Sequence, residues 1–250
     1  MGEPLPTIES VLGVQAIEAL HRPIEQACGL PGIAYTGESF FRLEQQKLFP
    51  RTWMCLAFTS DVPEPGDAIP LMAAGVPLIL VRDRAGAIRV FHNVCRHRAA
   101  LMVTKPCSKL TQFACPYHAW AYSLDGRLKA IPYFDGTRDG NGRAGLDLSQ
   151  LGLVPVRSAV WHHWIFINLD GKASPFAEHV RPLDELINGA DLGATRIAHR
   201  EDWAWNANWK MQNDNWETYH HVWVHKNVFT KITDDLDLTT GQPIAEPIPL

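Results

Sequence analysis

The spacing of apolar positions along the chain changes close to Trp53. Before that residue, positions 8–28 carry apolar side chains at helical spacing, broken near Pro23, and positions 37–50 repeat the pattern up to Pro50. After it, short apolar runs alternate with Gly, Pro and Asp, the residues that punctuate strands and turns. The pattern therefore predicts two helices followed by a region of short β-strands.

Two of the predicted strand pairs adjoin unusual Cys and His residues. Residues 76–94 predict two strands around a Gly-containing turn, and the second strand ends directly at Cys95. Residues 119–132 repeat this form with a Leu-Asp-Gly-Arg turn, immediately after a second Cys/His pair. Each pair is therefore expected at the tip of a small β structure. Farther on, residues 160–169 predict another strand, and residues 206–225 predict a helix with polar and aromatic side chains on mixed faces.

Composition and charge narrow the class of protein. The 250 residues are 46% hydrophobic and 20% charged, and the net charge of −4 predicts neither a nucleic-acid nor an anionic-membrane partner. The uncharged, mostly apolar stretch at residues 68–81 has 14 residues, whereas a membrane span needs about 20. Residues 1–10 lack the features of a secretory signal, and five cysteines are too few and too scattered for a disulfide scaffold. A cytoplasmic protein is expected.

The Cys and His residues form two short motifs, Cys95-x-His97 and Cys115-x-x-His118, separated by 17 residues. Two thiolates and two imidazoles suit either a tetrahedral zinc ion or a [2Fe–2S] cluster in which imidazoles replace two thiolates. Zinc fingers usually place their cysteines together and their histidines together, whereas here each loop supplies one of each. That mixture favours a two-iron cluster, while a structural zinc ribbon or four unrelated buried residues stay as alternatives.

A second group of metal-ligating residues lies in residues 208–225, which contain Glu217, His220, His221 and His225. Glu217 and His220 are three apart and share a helix face. His220 and His225 are five apart, about 140° round an ideal helix, so they bind one metal only if the helix ends or distorts between them. Two imidazoles and a carboxylate suit ferrous iron. A zinc site, or a His-rich helix end that binds no metal, stays as an alternative.

The CRHR and CPYHAW segments resemble the cluster loops of Rieske [2Fe–2S] domains, in particular those of the Rieske non-haem iron oxygenases. Respiratory-chain Rieske proteins add a cysteine to each loop and cross-link them, but the corresponding residues here are Ala100 and Tyr117. The family usually has Gly where this chain has Ala99 and Ala119, a change that could restrict a tight turn. The resemblance also implies that Trp120 packs beside the cluster.

The resemblance implies an α+β fold. It predicts an antiparallel β Rieske [2Fe–2S] domain joined to the first part of a helix-grip (START-like) catalytic domain. Expected domain bounds are 1–48 for an N-terminal helical segment, 49–158 for the Rieske domain and 159–250 for the front of the catalytic domain. The implied cluster ligands are Cys95, His97, Cys115 and His118.

The stretch NWKMQNDNWETYHHVWVH is similar to the catalytic iron motif of the same family. This implies that His220 and His225 bind a mononuclear Fe(II), and that Glu217 links this iron to a Rieske histidine of a neighbouring subunit. His221 is not a ligand position in the motif. The family's third iron ligand is an aspartate farther along than Leu250, so the chain is expected to be C-terminally truncated.

The resemblance implies the oxygenase component of a multicomponent enzyme. NAD(P)H electrons would arrive through a separate reductase, with or without a ferredoxin, and cross between subunits of a homotrimer. The reaction would hydroxylate or demethylate a small aromatic or quaternary-amine substrate with O2, and the sequence does not choose between the two. Two alternatives remain open: a Rieske-type electron-transfer protein, and an inactive fragment that lacks the third iron ligand.

Overall fold

The computed structural model describes residues 6–134, 136, 146–187, 189–216, 236–237 and 242–243. The chain divides into two compact units, one formed by Met1–Thr7 and Phe41–Arg200 and the other by Ile8–Phe40 and Glu201–Leu250. The three-part organisation inferred from the sequence, with bounds at 48 and 158, stays a prediction.

The first unit contains three small sheets. Their strands are β1 Met54–Phe58, β2 Ala68–Ala73, β3 Val76–Arg82, β4 Ile88–His92, β5 Phe113–Ala114, β6 Ala121–Tyr122, β7 Leu128–Ala130, β8 Arg157–Trp161 and β9 Trp164–Asn168. The strand orders are β1-β9-β8, β2-β3-β4 and β5-β6-β7. All strand pairs among the described residues are antiparallel, including β10 Leu236–Asp237 with β11 Gln242–Pro243 in the second unit. Together with the helices, this confirms the α+β class.

Strand β3 lies between two apolar cores. Its residues from Leu78 to Val81 have no exposed surface, and alternate side chains point to opposite faces. Ile79 and Val81 pack into one core together with both site cysteines. Leu78 and Leu80 pack into the other core, with Ile165 and Ile167 of β9. The strand therefore joins the metal-loop side of the unit to the β1-β9-β8 sheet.

Helices are short in both units. Their bounds are α1 Ile8–Leu12, α2 Val14–Leu20, α3 Ile33–Thr36, α4 Glu38–Leu43, α5 Phe176–Ile187 and α6 Trp209–Trp216. The helix expected over 8–28 is interrupted at Gly13, whose φ of 81° is left-handed, and ends at Leu20. The helix expected over 37–50 is α-helical only to Leu43; it continues as a π-turn and then as a 3-10 turn that contains Pro50. No helix in the described ranges is long and apolar enough to cross a membrane.

The predicted hairpins are confirmed, and one predicted strand is corrected. Residues 76–94 form β3 and β4, and the Leu-Asp-Gly-Arg turn joins β6 to β7. Residues 160–169, expected as one strand, belong instead to the β8–β9 hairpin. The chain reverses at His162–His163, where His162 has a left-handed φ of 52°. Helix α5 was not predicted, although Phe176, Val180, Leu183 and Ile187 recur at helical spacing.

A buried carboxylate organises the turn between β3 and β4. Asp83 accepts hydrogen bonds from the backbone amides of Ala85 and Ala87, both at 2.9 Å, and from Arg89 Nε at 2.5 Å. Burial by itself would raise the pKa of the Asp83 carboxyl. The Arg89 guanidinium and the two amides outweigh burial and hold this pKa below its ordinary value. The ionised form therefore stabilises the hairpin that leads to Cys95.

We expect Asp83→Asn to lower the free energy of unfolding by about 2 kcal/mol at neutral pH, since it removes charge-assisted hydrogen bonds. A depressed carboxyl pKa stabilises the fold above the unfolded-state pKa, near 4, and this contribution is lost as pH falls through the folded-state pKa. In urea titrations the difference between wild type and variant should therefore shrink below about pH 4. Arg84→Ala, at an exposed position in the same turn, should change little; a constant difference at all pH values would contradict this account.

Candidate metal centre

The two Cys/His motifs fold into loops of the same backbone design. In the first loop, residues 95–100, the amide of Cys95 donates to the carbonyl of Ala100 at 2.8 Å, and the amide of Ala99 donates back to the Cys95 carbonyl at 3.1 Å. In the second loop, residues 115–120, the amide of Cys115 donates to the carbonyl of Trp120 at 2.8 Å, and the amide of Ala119 donates to the carbonyl of Cys115 at 3.0 Å. The two loops therefore present their Cys and His side chains from matching frameworks.

Both loops need a left-handed residue at the same position. Ala99 has φ of 56° and Ala119 has φ of 58°, a region that costs an L-residue with a Cβ atom roughly 1–2 kcal/mol. These are the two positions where the sequence resemblance led us to expect Gly. The turn geometry explains that preference, and each alanine holds its loop at a local cost in stability.

The four candidate ligands separate into a buried pair and an exposed pair. Cys95 and Cys115 are buried in the apolar core, at 2% and 4% exposure, and the two thiols interact with each other. His97 and His118 are exposed at the loop tips, with ring centroids 4.8 Å apart. The loops thus bring together two sulfurs on the inside and two imidazoles on the outside.

Neighbouring groups set the protonation of the candidate ligands. Burial raises the pKa of the Cys95 thiol; the Tyr122 hydroxyl, 3.3 Å from Sγ, and the His97 amide oppose this effect, while Cys115 adds to it. Burial and the contact with Cys95 raise the pKa of Tyr122, so this phenol stays protonated. Burial, then His118 and Arg98, lower the pKa of His97, which favours the neutral imidazole that binds metals.

Aromatic rings of the second loop pack against both imidazoles. The indole of Trp120 is nearly parallel to the His97 ring, at 6° and 4.8 Å between centroids. Tyr117 lies against His118 at 3.8 Å. Trp120 is buried while its partner His97 is exposed, so the contact holds an exposed ligand against the core. The expectation that Trp120 packs beside the site residues agrees with this geometry.

Asn93 supports the chain on both sides of the first loop and was missed by the sequence analysis. Its buried side chain donates to the Val103 carbonyl at 2.6 Å. Its Oδ1 accepts from the amides of Met102 and Val103 at 2.9 and 3.0 Å. A polar residue two positions before Cys95, at the end of the predicted strand, was its sequence signal.

The donor set fits a two-iron cluster better than a single zinc ion. Among the described residues, no three His, Cys, Asp or Glu side chains converge closely enough to hold one metal ion. The four candidates divide instead into a thiol pair and an imidazole pair. That division suits a [2Fe–2S] cluster with two thiolates on one iron and two imidazoles on the other. The individual ligand roles remain predictions.

The second predicted site lies outside the described residues. Glu217, His220, His221 and His225 are not among them, so their geometry is not part of the structure. Of the predicted 206–225 helix, residues 206–216 are described, and α6, Trp209–Trp216, lies among them.

Helix α6 carries a buried cation that the sequence did not reveal. The Lys210 ammonium lies 5.6, 5.2 and 5.3 Å from the ring centroids of Tyr35, Phe40 and Trp209. One turn farther along the helix, Asp214 accepts a hydrogen bond from the Tyr35 hydroxyl at 2.7 Å. These contacts join α6 to the segment around α3 within the second unit.

Two surface cavities occur near the β5-β6-β7 sheet. One, of about 510 Å³, is lined by both imidazoles and by Tyr117, Tyr133 and Phe134. A larger one, of about 600 Å³, lies beside the β6–β7 turn and contains none of the predicted site residues. Of these two cavities, the smaller one therefore adjoins the candidate metal ligands.

Comparison with known proteins gives one consistent result. Residues 52–141 match the family described as the Rieske [2Fe–2S] domain. The oxygenase subunit of glycine betaine monooxygenase from Pseudomonas aeruginosa is 28% identical over 96% of this chain and 53% of its own length. The alpha subunit of biphenyl dioxygenase from Paraburkholderia xenovorans is 29% identical over 90% of this chain and 51% of its own.

A solved structure agrees with these sequence matches. It is a quaternary ammonium Rieske monooxygenase described for carnitine oxidation and inter-subunit electron transfer. It superimposes with a TM-score of 0.71 and 27% identity, covering 84% of this chain and 57% of that one. The chain thus spans about half the length of the curated relatives it matches.

Ala99→Gly and Ala119→Gly should each raise the free energy of unfolding by about 0.5 kcal/mol. Relief of the left-handed strain, roughly 1–2 kcal/mol, exceeds the entropy that glycine adds to the unfolded chain. Denaturant unfolding measures the effect. Ala114→Gly in β5, an extended and exposed position, is the control and should lower stability. A loss of stability in the two loop variants equal to that of the control would contradict the loop geometry.

Proposed function

The chain belongs to the Rieske non-haem iron oxygenases, and from this premise we propose that it acts in the cytoplasm as the oxygenase component of a multicomponent enzyme. The observation that carries the proposal is the pairing of two buried thiols with two exposed imidazoles in a chain that also holds the Glu217, His220 and His225 motif. The [2Fe–2S] cluster would supply one-electron storage, and ferrous iron would supply activation of O2.

The residues of the first site would bind the two irons of the cluster separately. Cys95 and Cys115 would bind the inner iron as thiolates, and His97 and His118 would bind the outer iron. The Tyr122 hydroxyl, in contact with Cys95 Sγ and protonated, would donate to that thiolate. Hydrogen bonds to cluster sulfurs raise the reduction potential because they stabilise the more negative reduced state. Exposure of the two imidazoles would give electrons a short path in and out.

The residues of the second site would bind and position a mononuclear iron. His220 and His225 would be two of its ligands, and Glu217 would connect it through hydrogen bonds to a Rieske histidine of the neighbouring subunit. Such transfer requires a closed ring of subunits, for which we propose a homotrimer. The relative described for inter-subunit electron transfer supports this arrangement.

Electrons would come from NAD(P)H through a partner reductase, with or without a ferredoxin. The relatives, which include a glycine betaine monooxygenase and a biphenyl dioxygenase, support the proposed substrate class. We propose hydroxylation or demethylation of a small quaternary amine or aromatic compound.

Metal counting tests the proposal directly. After anaerobic reconstitution, we expect about three iron atoms and about two acid-labile sulfides per chain, with a Rieske-type EPR signal after dithionite reduction. His220→Ala should remove one iron and leave the sulfide unchanged, whereas Cys95→Ala should remove the sulfide. Two irons in the wild type, unaffected by His220→Ala, would identify an electron-transfer protein instead.

Glu217→Ala should keep both metal centres but uncouple cluster oxidation from product formation, because it removes the hydrogen-bonded link between subunits. We expect product formed per electron supplied to fall at least about tenfold, as for loss of a group that orients a metal site. Glu178→Ala, an exposed acid on α5, is the matched control. Native turnover in the Glu217 variant would refute the linking role.

A further inference from the structure

Helix α6, Trp209–Trp216, ends directly before the residues predicted to bind the mononuclear iron. Glu217 is the next residue along the chain, and His220 follows three residues later. Metal ligands need their positions fixed to within about 0.5 Å, so the groups that support them affect metal affinity. The contacts that hold α6 in place are therefore relevant to the second proposed site.

The first turn of α6 combines a helix cap with a buried cation. The Asn208 side chain accepts a hydrogen bond from the Lys210 amide at 3.1 Å, which satisfies a backbone donor at the start of the helix. The Lys210 residue is only 7% exposed. Burial of an ammonium group costs free energy unless other groups replace its water. The neighbours of Lys210 must therefore stabilise its charge.

The Lys210 ammonium lies over three aromatic rings. Its nitrogen is 5.2 Å from the ring centroid of Phe40, 5.3 Å from that of Trp209 and 5.6 Å from that of Tyr35. These distances are within the roughly 6 Å at which the face of an aromatic ring attracts a cation. Trp209 belongs to α6, whereas Tyr35 and Phe40 come from the earlier segment of the same unit. The cation therefore links α6 to residues 35–40.

Tyr35 holds α6 at a second point. The ammonium lies over its ring, and its hydroxyl donates to Asp214 Oδ2 at 2.7 Å. Lys210 and Asp214 are four residues apart, so they share one face of the helix, about 6 Å apart along its axis. A single contact would let the helix turn about it, whereas two contacts on one face fix its rotation and its tilt. We call Tyr35, Phe40, Trp209, Lys210 and Asp214 the α6 clamp.

We propose that the α6 clamp positions the ligands of the mononuclear iron, with Lys210 and Tyr35 as positioning residues. This inference rests on the proposed function, which assigns Glu217, His220 and His225 to that iron, and it adds the groups that fix the helix leading to them. Lys210 acts through its charge, because the aromatic rings attract an ammonium group and do not attract a neutral side chain in the same way.

A purely structural role for Lys210 is the alternative. In that case the lysine stem only fills space beside the rings, and methionine, which is unbranched and apolar, replaces it equally well. Arginine keeps the positive charge and its attraction to aromatic faces. Methionine and arginine variants therefore separate the effect of the charge from the effect of packing.

Cobalt(II) binding at the second site is the measurement. The chain is reconstituted anaerobically with its cluster, the mononuclear iron is removed with a chelator, and Co(II) is titrated while its EPR signal is recorded with the cluster oxidised. His220→Ala identifies the signal that belongs to this site. We expect Lys210→Met to weaken Co(II) binding about tenfold, a typical loss for a group that supports metal ligands, whereas Lys210→Arg should stay within about threefold of wild type. The Co(II) line shape should change in Lys210→Met and not in Lys210→Arg.

Two further variants test the clamp with smaller changes. Tyr35→Phe keeps the ring and removes the hydrogen bond to Asp214, so it should weaken Co(II) binding by about threefold. Lys172→Met makes the lysine-to-methionine change at an exposed position in the first unit, and Co(II) binding should equal that of wild type. Acid-labile sulfide and the Rieske-type EPR signal after reduction report on the first unit, and both should be unchanged in every clamp variant.

The proposal fails on any of four results. Wild-type Co(II) affinity in Lys210→Met would remove the positioning role, and equal losses in Lys210→Met and Lys210→Arg would assign the effect to packing. Loss of the cluster together with Co(II) in both Lys210→Met and Tyr35→Phe would make the clamp a general requirement for folding. A wild type that binds no Co(II) would refute the iron site of the proposed function, and the positioning role with it. The first three results leave the proposed function intact, so the two failures are distinguishable.

Discussion

The structure of the first unit depends on the burial of two thiols in the same apolar core that holds Ile79 and Val81 of β3. A buried thiol close to a second one is held in its neutral form, and a metal that binds thiolates reverses that preference. The loops hold the candidate ligands with matching backbone hydrogen bonds. The phenol of Tyr122 contacts Cys95, and the indole of Trp120 stacks on His97. In this part of the chain, the packing of the apolar core therefore also determines the environment of the metal-binding thiols.

Sequence patterns predicted the elements whose signals are local. The β3–β4 and β6–β7 hairpins have Gly or Asp-Gly turns between short apolar runs, and both formed as expected. The β8–β9 turn was missed because His162 and His163 carry no turn signal; the left-handed backbone of His162 follows from the pairing of the two strands around it. Helix α5 had a visible periodicity, but its apolar stripe lies between segments that looked irregular.

The candidate site, like the fold, has a part with local sequence signals and a part without them. Spacing brought Cys95, His97, Cys115 and His118 into consideration, and the structure places them together as a buried pair and an exposed pair. The supporting groups could not be found that way. Asn93 bonds to residues about ten positions away, and Lys210 meets rings from a segment more than 160 residues earlier. Such contacts depend on tertiary structure, which short sequence patterns do not encode.

The burial of β3 on both faces also limits how this domain can change during evolution. Because its side chains alternate strictly between two cores, one inserted or deleted residue within the strand would turn the side chains on one side of the change toward the wrong core. The same shift would displace the segment that delivers Cys95. Substitutions that conserve volume can accumulate there, whereas changes of length are confined to the loops between the strands.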